Sequence, residues 1–279
     1  MSLKTHLKTI LRPLISKAVK NMYCWKLITF PIRFTNWLTY ERSLFEHTGI
    51  EKKLRVYFKD MVVLSGPFRG LKYPGFISSG SSLYPKLLGC YESELHEILD
   101  QLISINYTEI IDVGCAEGYY AIGLAIRYQH SKVYAYDTNK EAQEMCHKMA
   151  LLNQVENRIL ITGSLNAELL KTFIFKYRGL LIIDCEGYED ELFTKEVVGN
   201  LKNCDVLIEL HPMYVEHIKD KIIQLFALTH HIEIISSQDT ARKKFDNRNL
   251  LKTLSDSEAS YCVEEGRPFT MEWVFAKSP

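Results

Sequence analysis

The sequence predicts an α/β fold, a doubly wound and mostly parallel sheet preceded by an N-terminal helical and β-hairpin extension. Three observations carry this expectation. After residue 107, apolar β-type runs at 108–113, 132–137, 158–163, 179–184 and 204–210 alternate with helical stretches at 118–130, 139–153, 165–177, 188–200 and 213–229, which is how βαβ units around a parallel sheet are written. The first run breaks into a small-residue turn that opens directly into a helix. The chain then closes with two further strand-like runs, 231–236 and 270–276, without a comparable helix between them.

Composition bounds the rest. The 279 residues carry 34 Lys+Arg and 34 Asp+Glu, for a net charge of zero, which excludes a disordered tail, a collagen-like repeat or a disulfide scaffold. The zero conceals a division. Residues 1–60 hold twelve bases and four acids, a net +8, so the remaining 219 residues carry −8. Seven scattered cysteines form no CxxC pair, so neither a disulfide framework nor a zinc site is expected. No apolar run reaches the ~20 residues of a membrane span, and no secretory signal pattern is present; the expected location is cytoplasmic, with membrane association as the alternative. No nucleic-acid partner is predicted.

From the N-terminus, Leu3, Leu7, Ile10, Leu11, Leu14 and Ala18 fall on one helical face, with Lys4, Lys8 and Arg12 opposite and Pro13 interrupting. Tyr23, Trp25, Phe30, Phe34, Trp37 and Tyr40 follow among bases. Buried aromatics outnumber membrane anchors in soluble chains, so this 1–60 extension is expected to pack as core on the body. Contact of residues 1–40 with an anionic membrane surface is the alternative. Residues 61–106 read as a lid or cap: a hairpin over 61–74 punctuated by Gly66-Pro67 and Pro74, a small-residue loop at 75–82, and a helix over 91–103. The domain proper is 107–279.

The turn is Asp112-Val113-Gly114-Cys115-Ala116-Glu117-Gly118. Small residues there let backbone approach a ligand and aim helix-terminal N–H groups at it. The next strand ends at Asp137, about 20 residues on, where a carboxylate suits a ribose diol. An ordinary βα turn capped by an acid is the alternative. Asp112 on the strand would repel a phosphate and suits a cationic or amino-bearing ligand, which favours S-adenosylmethionine over a dinucleotide.

Residues 112–118 and Asp137 thus resemble the first motif and the ribose acid of class I S-adenosylmethionine-dependent methyltransferases. The resemblance covers about residues 90–279. It implies a Rossmann-like class I methyltransferase sheet, mostly parallel with an antiparallel last strand, and places Gly163 and Ser164 near the adenine. Asp184-Cys185-Glu186-Gly187-Tyr188-Glu189 is similar to the D-x-E-G-x-E signature of the FkbM-type family, mostly O-methyltransferases of sugar or natural-product hydroxyls. Cofactor contacts are therefore expected from Tyr91, Asp112, Gly114, Cys115, Ala116, Glu117, Gly118, Asp137, Gly163, Ser164 and Asp184.

Asp184 with Glu186, and Glu209 with His211, end two neighbouring strands at i, i+2 spacing, so each pair faces one way. His211 is the base candidate by its intrinsic pKa of ~6.5; Asp184, Glu186 and Glu209 bind the acceptor, orient the ring or take the proton. Capping by the acids and a carbonyl-held imidazole are the bland alternatives. The same donors could hold a divalent ion, although no metal is predicted. Glu189 reads as a first-turn helix acid. The expected activity is O-methylation of a small-molecule or glycan hydroxyl; the alternatives are N-methylation of an amine or protein, dinucleotide oxidoreduction, and a membrane-surface binding module.

Overall fold

The computed structural model describes residues 19–20, 22–267 and 269–279. The chain divides into two units, Met1–Lys53 and Leu54–Pro279. Among the described residues, helix α1 runs Met22–Tyr57. The amphipathic pattern of residues 3–18 lies outside the described residues. Every described side chain from 31 to 49 is exposed, Trp37 at 52% and Phe45 at 81%. Phe34, Trp37 and Tyr40, expected as core, are thus exposed, which corrects that expectation for these three; the side chains of Tyr23, Trp25 and Phe30 lie outside the described residues.

The second unit is built on a seven-stranded sheet ordered β3-β2-β1-β4-β5-β7-β6. Its strands are β1 (Tyr107–Val113), β2 (Lys132–Tyr136), β3 (Ile159–Thr162), β4 (Arg178–Ile183), β5 (Cys204–Leu210), β6 (His231–Ser236) and β7 (Glu272–Lys277). The first five are parallel, and β7 enters antiparallel between β5 and β6. This is the mostly parallel sheet that the sequence pattern predicts, with the antiparallel last strand that the resemblance implies. Both faces are covered, so the central strands are apolar runs rather than alternations: Leu180 to Ile183 and Val206 to Ile208 are fully buried. Crossover helices α4 (Tyr119–Arg127), α5 (Lys140–Leu152) and α6 (Ala167–Thr172) follow β1, β2 and β3. After β4, the expected single helix is split at Phe193–Thr194 into α7 (Glu189–Leu192) and α8 (Lys195–Asn200), because Thr194 turns its side chain to cap α8 on Val197 N–H. Helix α9 (Ile218–Phe226) follows β5. Between β6 and β7 lie three short helices, α10 (Thr240–Asp246), α11 (Arg248–Leu251) and α12 (Asp256–Val263).

The 61–74 hairpin is present in short form: Val62 and Lys72 form an antiparallel bridge, flanked by hydrogen bonds from Val63 N–H to Leu71 O and from Tyr73 N–H to Met61 O. It is held to α2 (Leu83–Leu88) by Leu64 N–H, which donates to Leu87 O. One expectation before β1 is corrected. The 91–103 helix is a single 3₁₀ turn at Ser93–Leu95 and then α3 (His96–Leu102). Glu92, just before it, is left-handed at φ +47° and caps nothing with its side chain.

Asp205 sits at the start of β5, at the opposite end of the strands from the candidate site. It accepts two hydrogen bonds from Arg178 and one from Ser278 N–H. That end is therefore closed by structural polar contacts, and the carboxyl ends of the strands are left for chemistry.

Candidate functional site at the carboxyl ends of the strands

A cavity of about 880 Å³ opens at the carboxyl ends of β1, β2, β4 and β5. The turn after β1 forms its floor. Gly114 is at φ +84°, and a side chain there would place Cβ 1.6 Å from the carbonyl oxygen of Asp184. Only glycine lets β1 exit this close to β4. Ala116 is also left-handed, at φ +48°, and its N–H donates to Asp137 Oδ2 at 2.8 Å. Asp137 Oδ1 accepts from Asn139 N–H at 2.8 Å. Two backbone amides thus fix the carboxylate that follows β2.

Asp112 is 2% exposed on β1, and its Oδ2 has no hydrogen-bond partner. Burial, with Asp184, Asp137 and Glu92 adding to it, pushes the Asp112 pKa up to about 8. A buried acid with an open oxygen facing a cavity is a natural place for a cationic group.

Asp184 and Glu186 leave β4 on a strained turn, Glu186 at φ +54° and Gly187 at φ +99°. Neither caps α7, whose N-cap is Tyr188 without a side-chain bond. Both converge with Glu209 on His211 at the end of β5. The Nε2 of His211 lies 3.4 Å from Asp184 Oδ1, 3.7 Å from Glu186 Oε2 and 3.9 Å from Glu209 Oε2. On the other side of the ring, Nδ1–H donates to Glu189 Oε1 at 2.8 Å, and Glu189 is fully buried. Burial works against a charged ring, but the Glu189 hydrogen bond and the surrounding carboxylates leave the His211 pKa above its ordinary value. Burial likewise opposes the Glu189 charge, and the His211 bond outweighs it, holding that carboxyl below its usual range. Glu189 is a first-turn residue of α7, as the sequence suggests, and also the partner of His211, which the sequence reading did not foresee.

A second acidic group closes the cavity. Glu92 accepts from Tyr120 OH and, at 2.9 Å, from Arg267. Arg267 also lies 3.3 Å from Glu209, 3.5 Å from Glu94 and 2.9 Å from Glu265. Burial opposes its charge, yet these four carboxylates raise its pKa. Burial pushes Glu92 up to about 8 and, with Asp184 beside it, Glu209 to about 11. The Asp184 pKa is raised by burial as well, against the pull of His211. Two donor sets, Asp184–Glu186–His211 and Glu92–Asp184–Glu209, each bring one atom per residue within 4.8 Å, a spacing compatible with a hard cation.

Tyr91, Asp112, Gly114, Cys115, Ala116, Asp137, Gly163, Ser164, Asp184, Glu186, Glu209 and His211 all line this one cavity. Glu117 and Gly118 do not. Glu117 is 1% exposed and turned toward Lys86, whose Nζ lies 2.6 Å away. It also accepts from Tyr73 OH, Ser78 Oγ and Ser79 N–H. Its role is to tie the 75–82 loop to the turn. Gly118 is at φ +99°, and a Cβ there would meet Cys146 Sγ at 2.7 Å, so it is required by packing of α4 on α5. The Cys185 side chain packs toward the apolar cluster under α7, with Sγ 3.5 Å from Glu189.

No protein-family model matches the chain. In sequence it is 25% identical over 218 residues to the uncharacterized protein MG259 homolog of Mycoplasma pneumoniae, covering 69% of this chain and 46% of that protein. The chain thus spans less than half the length of that relative. Among solved structures, it is similar to the O-methyltransferase TomG from Streptomyces achromogenes involved in tomaymycin synthesis, in complex with SAM (10% identity, 68% of this chain, 81% of that one, TM-score 0.44). It is similar to the O-methyltransferase from Bacillus cereus in complex with SAH (10%, 68% and 82%, 0.44). It is also similar to the precorrin-6y C5,15-methyltransferase from Geobacter metallireducens (11%, 66% and 89%, 0.44). Likenesses of this degree concern backbone shape and carry nothing about activity.

Proposed function

We propose that the chain is an S-adenosylmethionine-dependent methyltransferase of the FkbM type that methylates a hydroxyl of a sugar, glycolipid or secondary metabolite. The observation that carries this reading is the convergence, in one cavity, of Asp137 after β2, Asp184 after β4 and His211 after β5, the last held from behind the cavity wall by Glu189. About 880 Å³ falls near the top of the ~300–1,000 Å³ range of ligand pockets, which leaves room for a cofactor and part of an acceptor.

The residues fit this cofactor. Asp137, fixed by two amides, accepts hydrogen bonds from a ribose diol. The open oxygen of Asp112 suits an ammonium group, and a cation beside it would lower the raised pKa of that acid. S-adenosylmethionine, when bound, supplies an electrophilic methyl group on a sulfonium. His211 then receives the acceptor hydroxyl proton at Nε2, while Nδ1–H stays on Glu189 and fixes the tautomer. Glu186, at the exposed mouth, accepts hydrogen bonds from acceptor hydroxyls. A positioned base of this kind contributes roughly 10²–10⁴-fold, and holding the acceptor oxygen in line contributes much of the remainder.

The test is transfer of a labelled methyl group to a panel of sugar and small-molecule hydroxyls, with amines in parallel. Labelled ether products support the reading. Labelled amines alone would assign the Glu92–Asp184–Glu209 carboxylates to binding an amine acceptor and taking its proton, and would contradict O-methylation.

A further inference from the structure

Arg267 stands in the cavity wall among four carboxylates, and no catalytic role uses it. Its Nη2 donates to Glu92 Oε1 at 2.9 Å, and Nε lies 2.9 Å from Glu265 Oε2. Nη1 lies 3.3 Å from Glu209 Oε1 and 3.5 Å from Glu94 Oε1. The side chains of these acids are at most 8% exposed. Arg267, Glu92, Glu209 and Glu265 all line the cavity, with Lys243 pairing to Glu265 from outside it. Lys86, the other long-chain base lining the cavity, is paired with Glu117. The acids of the wall are held in fixed directions. Arg267 takes Oε1 of both Glu92 and Glu209, Glu92 Oε2 accepts from Tyr120 OH, and Glu209 Oε2 is turned to His211 Nε2 at 3.9 Å.

We propose that Arg267 determines which acceptors the cavity admits: its guanidinium occupies the place among these carboxylates that an ammonium group would otherwise take. Acceptors presenting a neutral hydroxyl enter, and those carrying a positive charge near the reacting atom are rejected. The inference rests on the reading of this cavity as a methyltransferase site. Buried carboxylates favour a cation beside them, and a second cation brought next to Arg267 meets a like charge away from bulk water. A built-in repulsion of this kind is one way a site discriminates between competitors of similar shape. Without Arg267, Glu92 and Glu209 each release Oε1. An amine acceptor then binds as the ammonium and gives its proton to one of these carboxylates. Its nitrogen lone pair takes the methyl group as the carbon–sulfur bond breaks and that electron pair stays on sulfur.

The test compares the parent, Arg267→Ala and Arg267→Lys on the panel of hydroxyl and amine acceptors, with S-adenosylhomocysteine binding followed on each by calorimetry. Arg267→Ala should raise the ratio of amine to hydroxyl products at least about tenfold. Arg267→Lys keeps the charge and should keep the parent ratio. Cofactor binding should be alike in all three, which a merely structural role would not predict. The vacated place is also read without turnover: millimolar methylammonium or methylguanidinium chloride should raise the melting temperature of Arg267→Ala, against sodium chloride, and leave the parent unmoved. If Arg267→Ala does not fold, Arg267→Ala with Glu265→Gln, which removes one carboxylate with the cation, carries the same expectations. An unmoved product ratio with intact cofactor binding overturns this inference alone, as does a ratio in Arg267→Lys as high as in Arg267→Ala. Absence of saturable cofactor binding by the parent overturns the methyltransferase reading and this inference with it.

Discussion

His211 donates Nδ1–H to the buried carboxylate of Glu189 at 2.8 Å, which leaves its Nε2 facing Asp184 across 3.4 Å. The ring is thereby fixed in one tautomer with its free nitrogen toward the cavity. Glu189 acts through His211 and is a positioning residue.

Glu189→Gln should reduce turnover roughly 10²-fold within the range a tuned base supplies, with little change in cofactor binding. The pH profile separates positioning from a structural role. His211 must be neutral to accept a proton, so activity rises with pH through its pKa. Glu189 helps to hold that pKa up. In Glu189→Gln the rise should move to lower pH while the plateau falls. An unmoved profile would show that the carboxylate does not tune the ring.

Asp137→Ala should weaken S-adenosylhomocysteine binding by at least about tenfold, given ~1.5–3 kcal/mol for hydrogen bonds to a charged group. It also removes the acceptor of the Ala116 and Asn139 amides. His211→Ala should leave that binding intact and slow transfer. Titration calorimetry on the two variants checks the division of labour, and equal losses in both would contradict it.

The fold was legible because its determinants are local. Strands buried on both faces read as unbroken apolar runs, and observed bounds match expected ones within two residues from β1 to β7. The Gly114 turn was legible too, since close approach to β4 excludes a side chain. The site was legible only in part. Glu117 belongs to the turn motif, but the left-handed Ala116 sends it to Lys86, 31 residues earlier in the chain. Arg267 reaches Glu92 over a sequence separation of 175, a pairing no spacing rule contains. Glu189 was visible as the third acid of its motif. Its partner, 22 residues on, is set by the packing of α7 against the end of β5. Phe34, Trp37 and Tyr40 went the other way, exposed where core was expected, because aromatic content alone does not fix burial.

The Lys86–Glu117 pair is buried, with side chains 3% and 1% exposed. Removing one partner strands a charge, so Lys86→Met should cost about 3–5 kcal/mol in denaturant unfolding. Burial opposes the Glu117 charge, but Lys86 and the Ser79 amide hold its pKa below the ordinary value. A depressed carboxyl pKa contributes stability above its unfolded value of ~4.3 and loses it as pH falls through the folded one. The parent should therefore lose stability on acidification across that window. Lys86→Met should show less of this loss, and an identical acid limb in both would contradict the assignment.

Gly114→Ala should lower the melting temperature and impair cofactor binding together. The new Cβ would lie 1.6 Å from a β4 carbonyl oxygen, in a left-handed conformation; the conformation alone costs about 1–3 kcal/mol. Gly163→Ala, with nothing within 4 Å of its Cβ, is the matched control and should melt near the parent. Equal melting temperatures for both variants would show that β4 yields to the side chain.

Titration calorimetry of the purified chain with S-adenosylhomocysteine addresses the cavity most directly. Saturable binding near one site per chain, weakened by Asp137→Ala, is the expected result. Absence of saturable binding, or binding that Asp137→Ala leaves unchanged, would contradict the assignment of this cavity to the cofactor.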